Sequence, residues 1–289
     1  MANERLKVAC VQTNSGREIA PNVAAASDLV RRARNQGAEF ILLPENVAMV
    51  EPNAALLRAK AEPEAGHAAL IAFQELARET GAWLLVGSLA VRVTDERIAN
   101  RSFLLDGEGA VRARYDKIHM FDVDLANGES YRESATFRPG ESAVLAETPW
   151  GRLGMSVCYD LRFPHLYRAM AKAGARMFAV PSAFTQVTGR AHWHVLLRAR
   201  AIETGAYVFA PAQCGVHAEG RRTYGHSLIV DPWGTVLADG GEEPGIVSAE
   251  IELARPDEAR AMIPALYHDR PFMVLSPEEE EDGVLADGG

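Results

Sequence analysis

Gly151–Arg168 reads GRLGMSVCYDLRFPHLYR, and this stretch decides the fold. Leu153–Val157 is an apolar run leading into Cys158. After Phe163-Pro164, Leu166, Ala169, Met170 and Ala173 recur at i, i+3, i+4, i+7, the spacing of one helix face. Proline suits a first helical turn, where its missing N–H is no loss. The pattern predicts a strand, a sharp turn at Cys158 and a helix. α/β folds present a nucleophile at the carboxyl end of a strand in this way. The competing reading is a packing cysteine, because free cysteine is among the most buried residue types.

Working outward, short apolar runs predict strands at Leu6–Val11, Phe40–Leu43, Ala82–Leu89, Arg176–Val180, Tyr207–Pro211, Ser227–Val230 and Ile246–Ile251. Val23, Ala26, Val30 and Ala33 predict one helix, and Ala69, Ala72, Phe73, Leu76 and Ala77 another, closed by Gly81. Ala191–Thr204 predicts a third, with Val195, Leu196, Ala199 and Ile202 on one face. Hairpins are expected around Asp106–Gly109 and Thr148–Gly151, and Gly128–Gly140 reads as a polar, irregular loop. Both halves run strand, helix, strand, helix, with hairpins interspersed. The expectation is an α/β fold: two mixed sheets packed face to face with helices outside. No Pro/Gly/Ser linker divides the halves, so residues 1–276 read as one domain.

Composition narrows the partners. Acidic residues outnumber basic ones, 39 to 30, for a net charge of −9. That surface argues against nucleic acid or an anionic membrane. No apolar run nears the roughly 18 residues needed to span a bilayer, and MANERLKVACVQ carries no secretory pattern. Cys10, Cys158 and Cys214 are too few and too scattered for a disulfide framework or a CxxC zinc site. A reducing cytoplasm is the expected home. Residues 277–289 open with PEEEED, an acidic tail expected to stay solvated. Residues 253–276 are a candidate arm for a partner subunit.

To attack an amide, Cys158 needs a base and a positive neighbour. No histidine occupies a strand end facing it. Glu45 follows FILLP and Lys117 follows VRARYD, so both sit at strand ends as Cys158 does. Were those strands neighbours, the three side chains would converge. Glu45 would then accept the thiol proton and return it to the leaving amine. Lys117 would favour the thiolate and donate to the oxyanion, with the Tyr159 N–H as a second donor. The product is a thioester acyl-enzyme that water hydrolyses. Taken singly, Glu45 is equally a surface acid and Lys117 an exposed turn lysine.

LLPEN at Leu42–Asn46, YDKIHMFD at Tyr115–Asp122 and GMSVCYDLRFP at Gly154–Pro164 resemble, in order and spacing, the glutamate, lysine and cysteine motifs of the nitrilase superfamily of carbon–nitrogen hydrolases. The resemblance is to its Nit-type amidases, and it spans residue 5 to about 272. It implies a four-layer α-β-β-α sandwich, homodimers or larger assemblies, and no cofactor or metal. It also implies a second glutamate, matched by Glu133 in YRESATFRPG, that holds the lysine and assists substrate placement. PSAFTQVTGRAHW, LLRARAIETGAYVFAPAQCG and YGHSLIVDPWG resemble the deaminated glutathione amidases, which release 2-oxoglutarate and Cys-Gly. The sequence departs from the family at His194, where Glu usually follows His-Trp.

Such substrates carry carboxylates. Arg162 resembles the carboxylate-binding arginine of related carbamoylases, and its alternative role is an ion pair with Asp160. Ser182, Ala183 and Phe184, at a strand end, are expected to line the pocket. His192 and His194 point about 200° apart on a helix and share no metal, and His119, His217 and His226 have no ligand spacing. The resulting expectation is a cofactor-free cysteine amidase for a small molecule. An omega-amidase acting on 2-oxoglutaramate, a nitrilase and a catalytically inactive interaction module are its alternatives.

Overall fold

The computed structural model describes residues 4–125 and 128–275, so the acidic tail lies outside the described residues. The first half runs β1 (Arg5–Gln12), α1 (Ile19–Asn35), β2 (Phe40–Leu42), α2 (Ala54–Lys60), α3 (Ala68–Thr80), β3 (Trp83–Arg92), β4 (Ile98–Leu105) and β5 (Val111–Asp116). A short hairpin follows, β6 (Asp122–Asp124) and β7 (Ser130–Arg132). The second half runs β8 (Val144–Thr148), β9 (Gly151–Met155), α4 (Pro164–Lys172), β10 (Met177–Ala179), α5 (Gln186–Thr204) and β11 (Tyr207–Ala210). After the hairpin β12 (Cys214–Val216) and β13 (Arg222–Tyr224) come β14 (Leu228–Val230), β15 (Val236–Asp239), β16 (Gly245–Glu252) and α6 (Arg255–Met262).

Two six-stranded sheets result, ordered β16-β1-β2-β3-β4-β5 and β15-β14-β11-β10-β9-β8. Each has a parallel centre, β1-β2-β3 in one and β9-β10-β11 in the other, with antiparallel strands outside. Side chains alternate between faces along a strand. Val8, Cys10, Phe40, Leu42 and Leu85 therefore face the other sheet, in one core with Met155, Phe209 and Ile229. Ala9, Val11, Ile41, Leu84 and Val86 face the opposite way, against Val30 of α1 and Phe73 and Leu76 of α3. On the far side, Leu166 and Met170 of α4 and Trp193 and Leu197 of α5 cover the second sheet. The four-layer sandwich of two mixed sheets is thus present, and the rings of Phe40 and Phe209 meet edge-on between the sheets at 6.2 Å.

Two elements depart from expectation. Helix α5 begins five residues earlier than its apolar spacing suggests, and the apolar face read from the sequence is half-buried at Leu196 and Ala199 and exposed at its ends. Val195 is 67% and Ile202 55% exposed, while Trp193, Leu197, Ala201 and Thr204 are buried. The helix carries two apolar stripes, and the one holding the bulky Trp193 is buried. The loop 128–140 also contains β7 and a single 3₁₀ turn at Glu133–Ala135, whose polar residues offer no periodicity to read. Beyond β16, the segment from residue 253 first returns to its own body: Arg260 donates to the Thr204 and Ala175 carbonyls and Leu266 is buried.

Candidate active site

The three side chains converge as expected, but not from neighbouring strands: β3 and β4 separate β2 from β5 in the first sheet, and β9 belongs to the second, so the site forms where the two sheets face each other. β2 delivers Glu45, the end of β5 delivers Lys117, and β9 delivers Cys158. Gly87 makes the first approach possible. A Cβ there would lie 2.0 Å from the Leu43 carbonyl oxygen, so only glycine lets residues 43 and 44 cross β3. Gln213, fully buried, donates to the Glu45 carbonyl at 3.0 Å, and the Ser88 hydroxyl accepts from the Asn46 N–H at 3.0 Å.

Cys158 opens a 3₁₀ turn, Cys158–Arg162, with φ of +52°. That conformation is uncommon for a non-glycine residue and costs on the order of 1–2 kcal/mol. Asp160 holds the turn. Its Oδ2 accepts from the Val157 N–H at 2.9 Å and the Tyr115 hydroxyl at 2.7 Å. Its Oδ1 accepts from the His119 N–H at 3.0 Å and lies 2.7 Å from His119 Nδ1. The Cys158 N–H is used by the Pro181 carbonyl at 3.0 Å.

The polar cluster is dense and buried. Lys117 Nζ donates to Glu45 Oε1 at 3.1 Å and to Glu133 Oε1 and Oε2 at 3.0 and 2.8 Å. Asn100 Nδ2 donates to Glu45 Oε1 at 2.8 Å and to Glu133 Oε1 at 3.3 Å. The Ala183 N–H donates to Glu45 Oε2 at 2.8 Å, and the Phe121 N–H donates to Glu133 Oε2 at 2.7 Å. Only 2% of the Lys117 side chain and 4% of the Glu45 side chain are exposed.

Charge follows from this geometry. Burial pushes the Glu45 carboxyl up, but Lys117 and hydrogen bonds from Cys158 and Asn100 pull it below its ordinary value. Burial pushes Lys117 down, but Glu133 and Glu45 more than reverse that, and it stays an ammonium. Burial first, and then the Glu45 charge, push the Cys158 thiol up against the opposing pull of Lys117. The cluster thus favours an ionised Glu45 and a charged Lys117, with the Cys158 thiol held toward its neutral form. Lys117 pulls the thiol toward its thiolate, the direction expected of it, while burial and the Glu45 charge push the other way. Cys10 is buried with its thiol also pushed up, and Cys214 is pushed up to about 12, both chiefly by burial, as suits packing residues.

A cavity of about 460 Å³ opens on this cluster, lined by Glu45, Lys117, Glu133, Cys158, Tyr159 and the residues opposite them. Ala183 and Phe184 line it as expected, whereas Ser182 does not. Ser182 is fully buried behind them, with its hydroxyl donating to the Val180 carbonyl at 3.0 Å. Arg162 is not a lining residue and does not pair with Asp160, whose oxygens are taken by the donors above. Its guanidinium lies over the Tyr159 and Phe184 rings and within 3.4 Å of His192 Nδ1. Two guanidinia line it: Arg132, which is paired with Asp124, and Arg221, with one N–H on the Ala183 carbonyl at 3.2 Å and a buried Nε that has no partner among the described residues. Sequence reasoning gave no site role to Asn100 or Gln213, and weighed Asp160 only as a partner for Arg162. A buried polar residue inside an apolar strand, as in IANRSFLL, is the one local signal for Asn100. His194, set aside on spacing along its helix, approaches His226 and Asp239 through the fold.

Comparison with known proteins gives the family. The family model described as carbon-nitrogen hydrolase matches residues 7–261. A deaminated glutathione amidase from Yersinia enterocolitica is 44% identical over 93% of this chain and 95% of its own length. The Caenorhabditis elegans NitFhit crystal structure superposes with a TM-score of 0.86 at 38% identity, over 93% of this chain and 66% of that one. A glutamate-to-glutamine mutant of an amidase from Nesterenkonia sp. AN1, with acrylamide added to its active-site cysteine, superposes with a TM-score of 0.76. It is 28% identical over 89% of this chain and 98% of that one. The chain belongs to the carbon–nitrogen hydrolase family, whose members hydrolyse carbon–nitrogen bonds other than peptide bonds.

Proposed function

We propose that the protein hydrolyses the amide of deaminated glutathione, with Cys158 as nucleophile and Glu45 as the base. The observation that carries this is the buried Glu45–Lys117–Glu133 cluster meeting the Cys158 thiol at one end of the cavity. Glu45 takes the thiol proton as sulfur attacks the amide carbon. The developing oxyanion accepts from Lys117 and from the Tyr159 N–H, which lies in the first turn after Cys158 where helical N–H groups have no internal partner. An ammonium has three donors, and Lys117 directs them at Glu45 Oε1 and both oxygens of Glu133, so giving up one of the two contacts with Glu133 frees a donor for the oxyanion. Glu45 then protonates the leaving nitrogen, releasing Cys-Gly and leaving a 2-oxoglutaryl thioester. Water, deprotonated by Glu45, cleaves that ester to 2-oxoglutarate and the free thiol.

Arg221 supports the choice of an anionic substrate, because it brings a guanidinium with an unused donor to the cavity wall. The test is a side-by-side kinetic comparison of deaminated glutathione, 2-oxoglutaramate and a simple nitrile, with Cys158→Ala as control. The reading expects the highest kcat/KM on deaminated glutathione. Preference for 2-oxoglutaramate assigns an omega-amidase, and preference for the nitrile overturns the amide reading.

The same proposal includes a homodimer or larger assembly in a reducing cytoplasm. The exposed stripe of Val195 and Ile202 on α5 and the exposed run Phe272–Leu275 are apolar surface of the kind a second subunit covers. A monomeric mass by light scattering at micromolar concentration would refute the assembly.

A further inference from the structure

Outside the cavity, a second cluster of ligating side chains forms where α5, the β13–β14 connection and the end of β15 meet. His194 Nε2 lies 3.0 Å from Asp239 Oδ2. His226 Nδ1 lies 2.9 Å from Oδ1 and 3.1 Å from Oδ2 of the same carboxylate. One ligand atom from each of the three residues falls within 4.8 Å of the others. All three side chains reach solvent, at 33%, 20% and 34% exposure for His194, His226 and Asp239. None of the three lines the cavity holding Cys158.

A carboxylate between two imidazoles satisfies hydrogen bonding by itself. The support around this one goes further. His226 has φ of +51°, a strained value for a residue with a side chain. Its N–H donates to the Gly241 carbonyl at 2.6 Å, and its carbonyl accepts from Trp193 Nε1 at 2.7 Å. Its ring stacks on Tyr224 with centroids 4.4 Å apart. Tyr224 fits against α5 only because residue 189 is glycine, where a Cβ would lie 2.4 Å from the tyrosine. Asp239 Oδ1 also accepts from the Gly241 N–H at 2.9 Å. The ring and the carboxylate are thus fixed in place by backbone and stacking, as metal ligands are when an outer layer of contacts orients them.

Spacing and chemistry agree. Zinc bonds of about 2.0–2.1 Å place ligand atoms about 3.3 Å apart in a tetrahedron, and near 3 Å in an octahedron. The measured approaches to Asp239 fall at that spacing. Two imidazole nitrogens and one carboxylate favour zinc-class transition ions over magnesium or calcium, which take oxygen ligands. We propose that His194, His226 and Asp239 bind a divalent transition cation of the zinc class, with three protein ligands and a further position open to water. The ion fastens α5 to β15. It also braces the wall of the cavity, because the Tyr224 N–H donates to the carbonyl of Phe184, a lining residue, at 3.0 Å.

The test uses the full chain carrying Cys158→Ala, which removes the active-site thiol as a competing ligand. After chelator treatment and dialysis, it is titrated with zinc chloride by calorimetry, and its melting temperature is read with and without zinc. One equivalent of zinc with a raised melting temperature is expected. His194→Ala and Asp239→Asn, added to the same background, should each weaken binding at least tenfold and abolish the melting shift. Absence of stoichiometric binding, or either variant binding as tightly as the parent, overturns the proposal. Metal-free melting of each variant reports on the fold, and His194→Gln replaces His194→Ala if that variant melts early.

Discussion

The Tyr115 hydroxyl donates to Asp160 Oδ2 at 2.7 Å, joining the strand that carries Lys117 to the turn that carries Cys158. Tyr115 lies on β5 of the first sheet and Asp160 in the turn that follows β9 of the second, so this bond spans the sandwich at the level of the site. Both residues are buried. Asp160→Ala would leave the Tyr115 hydroxyl and the Val157 N–H without their acceptor. We expect it to destabilise the fold by about 3 kcal/mol or more. Tyr115→Phe, which removes one donor, should cost about 1–2 kcal/mol and lower kcat with KM nearly unchanged. Chemical denaturation and steady-state kinetics on both variants check this. Wild-type kcat in Tyr115→Phe would remove the positioning role.

Lys117 and Glu133 should separate by function. Lys117→Ala removes an oxyanion donor and leaves two buried carboxylates facing each other. Its kcat should fall at least the roughly 10²–10³-fold of a single lost donor. Glu133→Gln keeps the shape and one acceptor oxygen for the lysine, so it should melt near wild type while losing most turnover. A fully active Glu133→Gln enzyme would sink the role of Glu133.

The acid limb of the pH profile follows from Glu45. Its folded pKa lies below the ordinary 4.5, because Lys117 and its hydrogen bonds outweigh burial. The base must be ionised, so kcat/KM should hold at neutral pH and fall only as pH drops through a value below 4.5. The stability linked to Glu45 has the same sign: in place above the unfolded value, lost as pH falls through the folded one. Lys117 is raised, so it contributes no alkaline limb near neutrality. An acid limb in kcat/KM centred above 4.5, with the fold intact by circular dichroism, would contradict this assignment.

Substrate charge should be read by Arg221 and not by Arg162. Arg221→Met is expected to raise KM for deaminated glutathione about tenfold to a hundredfold, the range for a lost hydrogen bond to a charged group. Arg162→Met should change KM far less, since its guanidinium lies over Tyr159 and Phe184 outside the cavity. Equal KM effects from the two variants would refute the distinction.

The sequence was most legible where local pattern and chemistry coincide. An apolar run, a cysteine and a Phe-Pro helix start placed Cys158, and strand-end positions placed Glu45 and Lys117. Glu133 came only through family resemblance, because a glutamate in a polar loop has no local signature. Arg162 misled because closeness in sequence to Cys158 does not fix direction, and the 3₁₀ turn swings its side chain toward α5. Arg221 reaches the cavity from a loop 63 residues beyond Cys158, a separation no spacing rule covers. The α5 stripe fell short for another reason. Apolar periodicity marks a helix face, and it does not say whether the rest of this chain covers that face.

The central claim is that Cys158 is the acyl-accepting nucleophile, and its most direct measurement is the rate of deaminated glutathione hydrolysis by Cys158→Ala, with folding verified by circular dichroism. The account predicts a folded protein with no hydrolysis above the uncatalysed background. A folded Cys158→Ala protein that turns over within about tenfold of wild type would contradict it, because removing a nucleophile costs several orders of magnitude.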